Sequence, residues 1–315
     1  MEKLIYTDQE RNDIGYLNSF SLDLENGKDN DFELVLPLSE FSKLRPDCFI
    51  YVENNPQYGG RIDSYNPVAA SNVVKFKGRT WRGIFSQKIL LSNVSYASYS
   101  VLSDIIQHTI DLSDFNDSFM ATENNATIGT ANQTGLYTTP LSALETIFGF
   151  IGCRPSFVYD PTVRRIRIGA EAIVDYSVQE FGTDKVNLDI NINSKPINHV
   201  VAITNSGAVK HRYLLYNGTQ STSLQDYKGS NEVMHYMAVS GTNEAEIQEA
   251  MAEVINNSVA AATTCAVTLS SFSADIGDIV GGTDKITGVF AAAKVVSKIL
   301  KMDKFTSIVN LETGA

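Results

Sequence analysis

Cysteine is scarce in this chain of 315 residues: Cys48, Cys153 and Cys265 are odd in number and far apart. That pattern excludes a framework of paired bridges and suits a reducing compartment, so the thiols are expected to be buried and inert. No apolar run approaches the ~20 residues that a bilayer-crossing helix needs. The opening Met1-Glu-Lys-Leu-Ile-Tyr6 lacks the basic patch and long apolar stretch of a secretory leader, so membrane insertion is not expected. Basic residues are in the minority, 25 Lys and Arg against 36 Asp and Glu, for a net charge of −11. Such a balance excludes the phosphate-neutralising surface of a nucleic-acid coat.

The motifs of nucleotide and acyl chemistry are missing too. Neither G-x-G-x-x-G nor G-x-x-x-x-G-K-[ST] occurs, so no glycine loop brings backbone amides up to a phosphate. There is no G-x-S-x-G elbow and no cysteine in a local setting that would activate a thiolate. His108, His199, His211 and His235 are separated from one another and from the cysteines, so a zinc site would have to be assembled wholly by the fold.

What is present reads as β-rich α+β. Phe20, Leu22 and Leu24 alternate with polar neighbours up to Asn26-Gly27, and Phe32 to Leu36 runs to Pro37. Cys48 to Val52 is a compact apolar run, and Val74 and Phe76 alternate with Lys75 and Lys77. These short, evenly punctuated segments predict a small barrel or sandwich. Val101, Leu102, Ile105, Ile106 and Thr109 then share one helical stripe. A polar stretch over 111–138 reads as a mobile surface excursion. The best-specified helix starts at Thr139-Pro140, buries Leu141, Leu144, Ile147, Phe148 and Ile151, and is closed by Gly152. A hairpin follows, Phe157-Val-Tyr159 and Val163 to Ile168 about the turn Asp160-Pro161.

Strands return at 186–192, 199–204 and 213–216, followed by a polar loop over 217–230. Asn243 with Glu246 caps a helix whose buried stripe is Ile247, Ala250, Met251, Val254 and Ile255, leaving Glu244, Glu246, Glu249 and Glu253 on its wet side. Further strands are expected at 265–269, 277–280, 293–300 and 305–311, with a turn at Gly281-Gly282.

Few residues offer chemistry. Asp104 and His108, one helical turn apart, could orient an imidazole as a base, but no nucleophile accompanies them and a solvated pair is the plainer reading. Asp111, Asp114, Asn116 and Asp117 are oxygen-rich but lack the alternation, glycine and terminal Glu of a calcium loop. The single tryptophan, Trp81, shares helical spacing with Ile84 and Phe85 and is read as a core anchor rather than a sugar platform. No paired carboxylates for glycoside cleavage stand out. No catalytic, cofactor-binding or metal-binding residue is therefore assigned, and no cofactor.

Several segments, in order, resemble a known family. Asp31-Phe-Glu-Leu-Val-Leu-Pro37, Phe49-Ile-Tyr-Val52, Gly60-Arg-Ile-Asp-Ser64, Val73 to Arg79 leading into Trp81-Arg-Gly-Ile-Phe85 and Lys88-Ile-Leu90, the helix and hairpin over 140–168, and Ile276-Gly-Asp-Ile-Val280 are similar to the hub proteins of long-tailed phages, the siphophage baseplate and tail-associated proteins. Their order and spacing carry the resemblance. It implies a fold of two small β-barrel domains flanking an α+β region, laid out as 1–95, 96–185 and 186–315. It also implies a non-enzymatic structural protein of a phage or prophage tail tip, a homotrimer forming a ring in the virion after synthesis in the host cytoplasm. Its partners would be the tail tube or distal tail protein, the tape measure, and a tail fibre or lysin. The segment 111–138 matches no motif of the family, and no peptidoglycan-cutting domain follows the last strands, which weighs against a lytic role. The rival readings are a receptor- or carbohydrate-binding tail protein and, behind it, a cell-wall hydrolase.

Overall fold

The computed structural model describes residues 2–87, 94–95, 118–121, 132–133, 139–177, 186–192, 195–223, 232–240, 243–261, 263–269, 274–283 and 290–314. The expected helix over 101–109 and most of the excursion over 111–138 lie outside them. The N-terminal strands are β1 Leu4–Thr7, β2 Asp13–Tyr16, β3 Ser21–Asn26, β4 Asp31–Pro37, β5 Phe49–Val52, β6 Asn55–Val68 and β7 Val73–Thr80, followed by the short helix α1, Trp81–Phe85. Then come β8 Val94–Ser95, β9 Phe119–Ala121, β10 Asn132–Gln133, α2 Pro140–Gly149, β11 Cys153–Asp160 and β12 Arg165–Ala172. The rest comprises β13 Val186–Ile192, β14 His199–Thr204, β15 Val209–Leu214, β16 Gln220–Ser221, β17 Met234–Val239, α3 Glu244–Ala261, β18 Thr263–Leu269, β19 Ile279–Thr283, β20 Phe290–Asp303 and β21 Ser307–Gly314.

The two ends of the chain share one sheet. Its strands run β13-β18-β21-β20-β3-β4-β7-β6-β5-β1-β2, with β19 joined to β20. Among the described residues this is an open path. Register follows the apolar alternation: Leu24 lies between Phe32 and Leu300, Leu22 between Leu34 and Met302, and Leu34 and Leu36 face Phe76 and Val74. A one-residue slip would turn all of these to solvent, so the pattern fixes the pairing. These side chains meet Leu4, Tyr6, Ile50, Val52 and Ile62 in one core. Because β1 and β20, far apart along the path, contribute to the same core, the sheet is curled on itself. At the turn after β3, Gly27 has φ 123, and a Cβ there would sit 2.1 Å from the Val296 carbonyl oxygen, so only glycine fits.

The middle segment packs on the outside of this sheet. Every residue of β5 is buried because Ile50 and Val52 face inward while Phe49 and Tyr51 are covered from outside. The cover is α1, α2 and the β11–β12 hairpin, with β9 parallel to β12. Thr80 caps α1, and Thr139 caps α2, its hydroxyl accepting from the Ser142 amide at 3.2 Å, with Pro140 in the first turn as expected. Trp81 stacks on Tyr159 (centroids 5.5 Å apart) and tilts against Phe49 (5.1 Å), while its indole N–H donates to the Pro56 carbonyl at 3.0 Å. It is 1% exposed, a core anchor as the sequence indicated.

A second, four-stranded sheet is ordered β16-β15-β14-β17. Helix α3 lies across one face, placing Ile247, Met251 and Ile255 on Val200 and Ala202. Asn243 accepts from the Ala245 amide and donates to Glu246, which realises the expected cap, and Glu244, Glu246, Glu249 and Glu253 are exposed. Two expectations are corrected. Gly281 and Gly282 lie inside β19, paired with Ala292 and Ala291 rather than turning, and the strand placed at 213–216 is Val209–Leu214.

Replacing Trp81 by Ala removes the contact shared by the sheet and its cover. The expected loss is about 3–5 kcal/mol of unfolding free energy in urea titrations; a loss under about 1 kcal/mol would show that the cluster is not what joins the two layers.

Candidate functional site

Of the residues flagged for chemistry, Asp104, His108, Asp111, Asp114, Asn116 and Asp117 lie outside the described residues, as does the Cys265 side chain. Cys48 is buried, and burial pushes its thiol pKa up, away from the reactive thiolate. Cys153 is half-buried. Among the described residues no three His, Cys, Asp or Glu side chains are arranged to hold a metal, and no helix is long and apolar enough to cross a membrane.

Charged groups converge instead where β11, α1 and the β19–β20 hairpin meet. The buried Arg82 guanidinium is bonded to the Glu145 carboxylate, reaches the Pro155 carbonyl at 3.4 Å and stands 5.7 Å over the Phe157 ring. Burial pushes its pKa down and the Glu145 charge opposes that. Asp278, fully buried in the Gly-Asp-Ile-Val segment, binds Arg154 and accepts from the amides of Val174 (2.9 Å) and Asp275 (2.8 Å). Arg154 also reaches Glu171 at 2.9 Å. A small cleft of about 30 Å³, room for about two waters, lies between Arg82, Phe157, Tyr58 and Lys298. The Lys298 ammonium is 3.7 Å from Asp275 and 5.2 Å from the centre of the Tyr58 ring. Each cation here faces a carboxylate, and Asp278 serves two backbone amides as well. The arrangement is a lock between layers of the fold.

Tyrosines close the same junction from the other side. Tyr51 donates to Asp13 (2.8 Å), and burial with that carboxylate pushes its phenol pKa up. Tyr159 donates to the Arg11 carbonyl at 3.2 Å and is pushed by burial up to about 12.

The second sheet presents a different surface. Its α3 side carries the charges: Lys210 pairs with Glu244 at 2.6 Å and Arg212 reaches Gln248 at 3.3 Å. Strand alternation therefore puts Val209, His211 and Tyr213 on the other face, with His199, Val201 and Ile203 from β14 and Met234, Tyr236 and Ala238 from β17. None of these nine residues bears a fixed charge. Met234, Tyr236 and Val209 are 61%, 57% and 50% exposed, and β17 is the last strand of its sheet. An aromatic and methionine patch without fixed charge has the composition of a protein interface core. It escaped the sequence reading because Met234 to Val239 carries apolar residues on both faces and shows no clean alternation; the apolar run broken only by His235 was itself the available signal.

Comparison with known proteins gives no match to any protein-family model or curated sequence. Solved structures do match along the whole chain. The tail protein from Neisseria meningitidis MC58 superposes with a TM-score of 0.53 at 13% identity, covering 100% of this chain and 96% of that one. The prophage MuSo2 43 kDa tail protein from Shewanella oneidensis gives 0.56 at 11% identity, covering 99% and 98%. This chain has the fold of phage tail proteins. At such identities what the tail proteins share with it is the fold, and the aromatic junction, the Asp278 lock and the patch on β17 are described from this chain's own residues.

The lock is testable by Asp278→Ala, which leaves Arg154 with Glu171 alone and the Val174 and Asp275 amides without an acceptor. A loss near about 3 kcal/mol in chemical denaturation is expected, since stripping one partner from a buried pair is costly; an unchanged midpoint would contradict the lock.

Proposed function

We propose that the chain is a structural subunit of a phage or prophage tail, the hub at the tail tip or baseplate, working through protein interfaces rather than catalysis. The observation that carries this is the match of nearly the whole chain, with nearly all of two tail proteins, to one fold. In this reading three copies close a ring, residues 1–95 and 186–315 supply two similar small barrels, and 96–185 forms the α+β region between them. The curled core of β1 to β7, completed by Leu300 and Met302 of β20, is consistent with a barrel at this end of the fold. The ring joins the tail tube or distal tail protein to the tape measure and a fibre or lysin, in the virion tail after synthesis in the host cytoplasm. The net charge of −11 suits a channel that DNA crosses without adsorbing. No cofactor, specific nucleic-acid site or membrane segment belongs to this role.

The patch of Val209, Met234 and Tyr236 is the surface we assign to assembly, because an exposed apolar cluster at a sheet edge on so acidic a chain favours burial against another protein surface. Negative-stain microscopy with mass measurement across a concentration series should show threefold rings with a central opening. Tyr236→Glu should abolish them while leaving the unfolding free energy within about 0.5 kcal/mol of the parent, as for an exposed site. Monomers at every concentration would overturn the ring and favour a receptor- or carbohydrate-binding tail protein.

A further inference from the structure

One cluster of ionisable groups has no part in the lock and lies on the same sheet face as the exposed Val209, Met234 and Tyr236. His199, 7% exposed at the start of β14, faces Glu232 with Nδ1 and His211 Nδ1 with Nε2, the latter at 2.9 Å. Its ring stacks on Tyr213 at 4.3 Å, and the His199 and His211 rings lie 27° from parallel. The two histidines are twelve residues apart in sequence and are brought together by the β14–β15 hairpin, in which His199 pairs with Tyr213 and Val201 with His211.

The proton positions follow from donor and acceptor roles. An ionised carboxylate only accepts, so His199 Nδ1 carries a proton toward Glu232. With both rings neutral, His199 Nε2 is bare and His211 Nδ1–H donates to it. After one proton is added, His199 is an imidazolium held by Glu232, donating from Nε2 to His211 Nδ1, whose own proton now sits on Nε2. Both states keep the chain of hydrogen bonds. A second proton leaves two N–H groups on two cations facing each other across one contact, which loses the bond and adds like-charge repulsion.

Among the described residues, the other groups facing this pair add no cation. Tyr213 stays neutral because burial and the Glu232 charge push its phenol pKa up. Lys210 and Arg212 lie on the α3 side of the sheet, as does His235, paired with Val200.

We propose that His199, Glu232 and His211 form a proton-operated clasp on the entry to β17, closed with no or one added proton and opened when both imidazoles are charged. Glu232 is the handle. Next in the chain, the Val233 carbonyl accepts from the amides of Asn198 (3.0 Å) and His199 (3.3 Å), and its amide donates to the Asn198 side chain at 2.8 Å. Beyond it β17 pairs in parallel with β14. Opening the clasp loosens the edge strand that carries Met234 and Tyr236. The clasp stands on this geometry and does not depend on the assembly reading.

The test uses the whole chain, following the His199 and His211 rings by NMR from about pH 8 to about pH 4.5, across the range where imidazoles ionise. Amide hydrogen exchange over 232–239 is measured on the same samples and corrected for intrinsic rates. The clasp predicts that the two rings take up their protons in two steps rather than one. It further predicts that exchange in β17 rises about tenfold or more only across the second, as the local opening energy falls. His211→Gln, which keeps a polar contact to His199 without a charge, should remove the second step and the acid-dependent rise. A single joint titration, flat exchange through acid, or an unchanged rise in the variant would each overturn the proposal; if the variant fails to fold, the parent titration and exchange decide alone.

Discussion

The contact on which the rest of the structure depends is the packing of Trp81 and Tyr159 against Phe49 and Tyr51. A curled sheet with an apolar interior solves only half of the burial problem, because β5 is apolar on both faces. Its outer face needs a cover, and the aromatic cluster supplies one by drawing α1, α2 and the β11–β12 hairpin onto it. The area buried by such rings is large, and their edge-to-face and offset contacts add to it. Arg154 with Asp278 then ties the cover down at its rim, and Arg82 with Glu145 joins α1 to α2 within it. Ion pairs of this kind add little net stability but are costly to break, so they fix one geometry for the joint.

How much of this was legible depends on which faces of each strand are buried. Leu22 and Leu24, Phe32 to Leu36, and Val74 and Phe76 were readable because one face is core and the other water, which gives period two. Thr139-Pro140 and Asn243 with Glu246 were readable because caps are local chemistry. Strand β6 was not. Its first half carries Pro56, Gly59 and Gly60, and a Cβ at Gly59 would lie 2.4 Å from the Trp81 ring, so the glycine answers a tertiary approach that no local pattern announces. The Gly-Asp-Ile-Val segment was noticed as a motif, yet its reason is a buried carboxylate that serves the nearby Asp275 amide together with Arg154 and the Val174 amide, both more than a hundred positions away. The pairing of β20 with β3, which puts both ends of the chain in one sheet, is likewise a matter of topology.

The histidines make the same point about sites. Separated in sequence, they gave no metal spacing, and the fold joins two of them into a hydrogen-bonded pair rather than a ligand set. The described residues thus hold several charges in joints, leave the glutamates of α3 in solvent, and expose Met234 and Tyr236 on an edge strand. The whole-chain agreement in fold with tail proteins from two bacterial sources shows one fold persisting at 11 to 13% identity. Persistence at that level is expected when the burial pattern, more than any particular residue, is what the fold requires.

We propose that this chain is a built-in part of a tail. Quantitative mass spectrometry of purified tail particles from cells that express the gene at its native locus tests it most directly. The account predicts that the chain co-purifies with the particles through high-salt washing, in a fixed copy number that is a multiple of three. Its absence from intact particles, or a variable amount removed by washing, would contradict it.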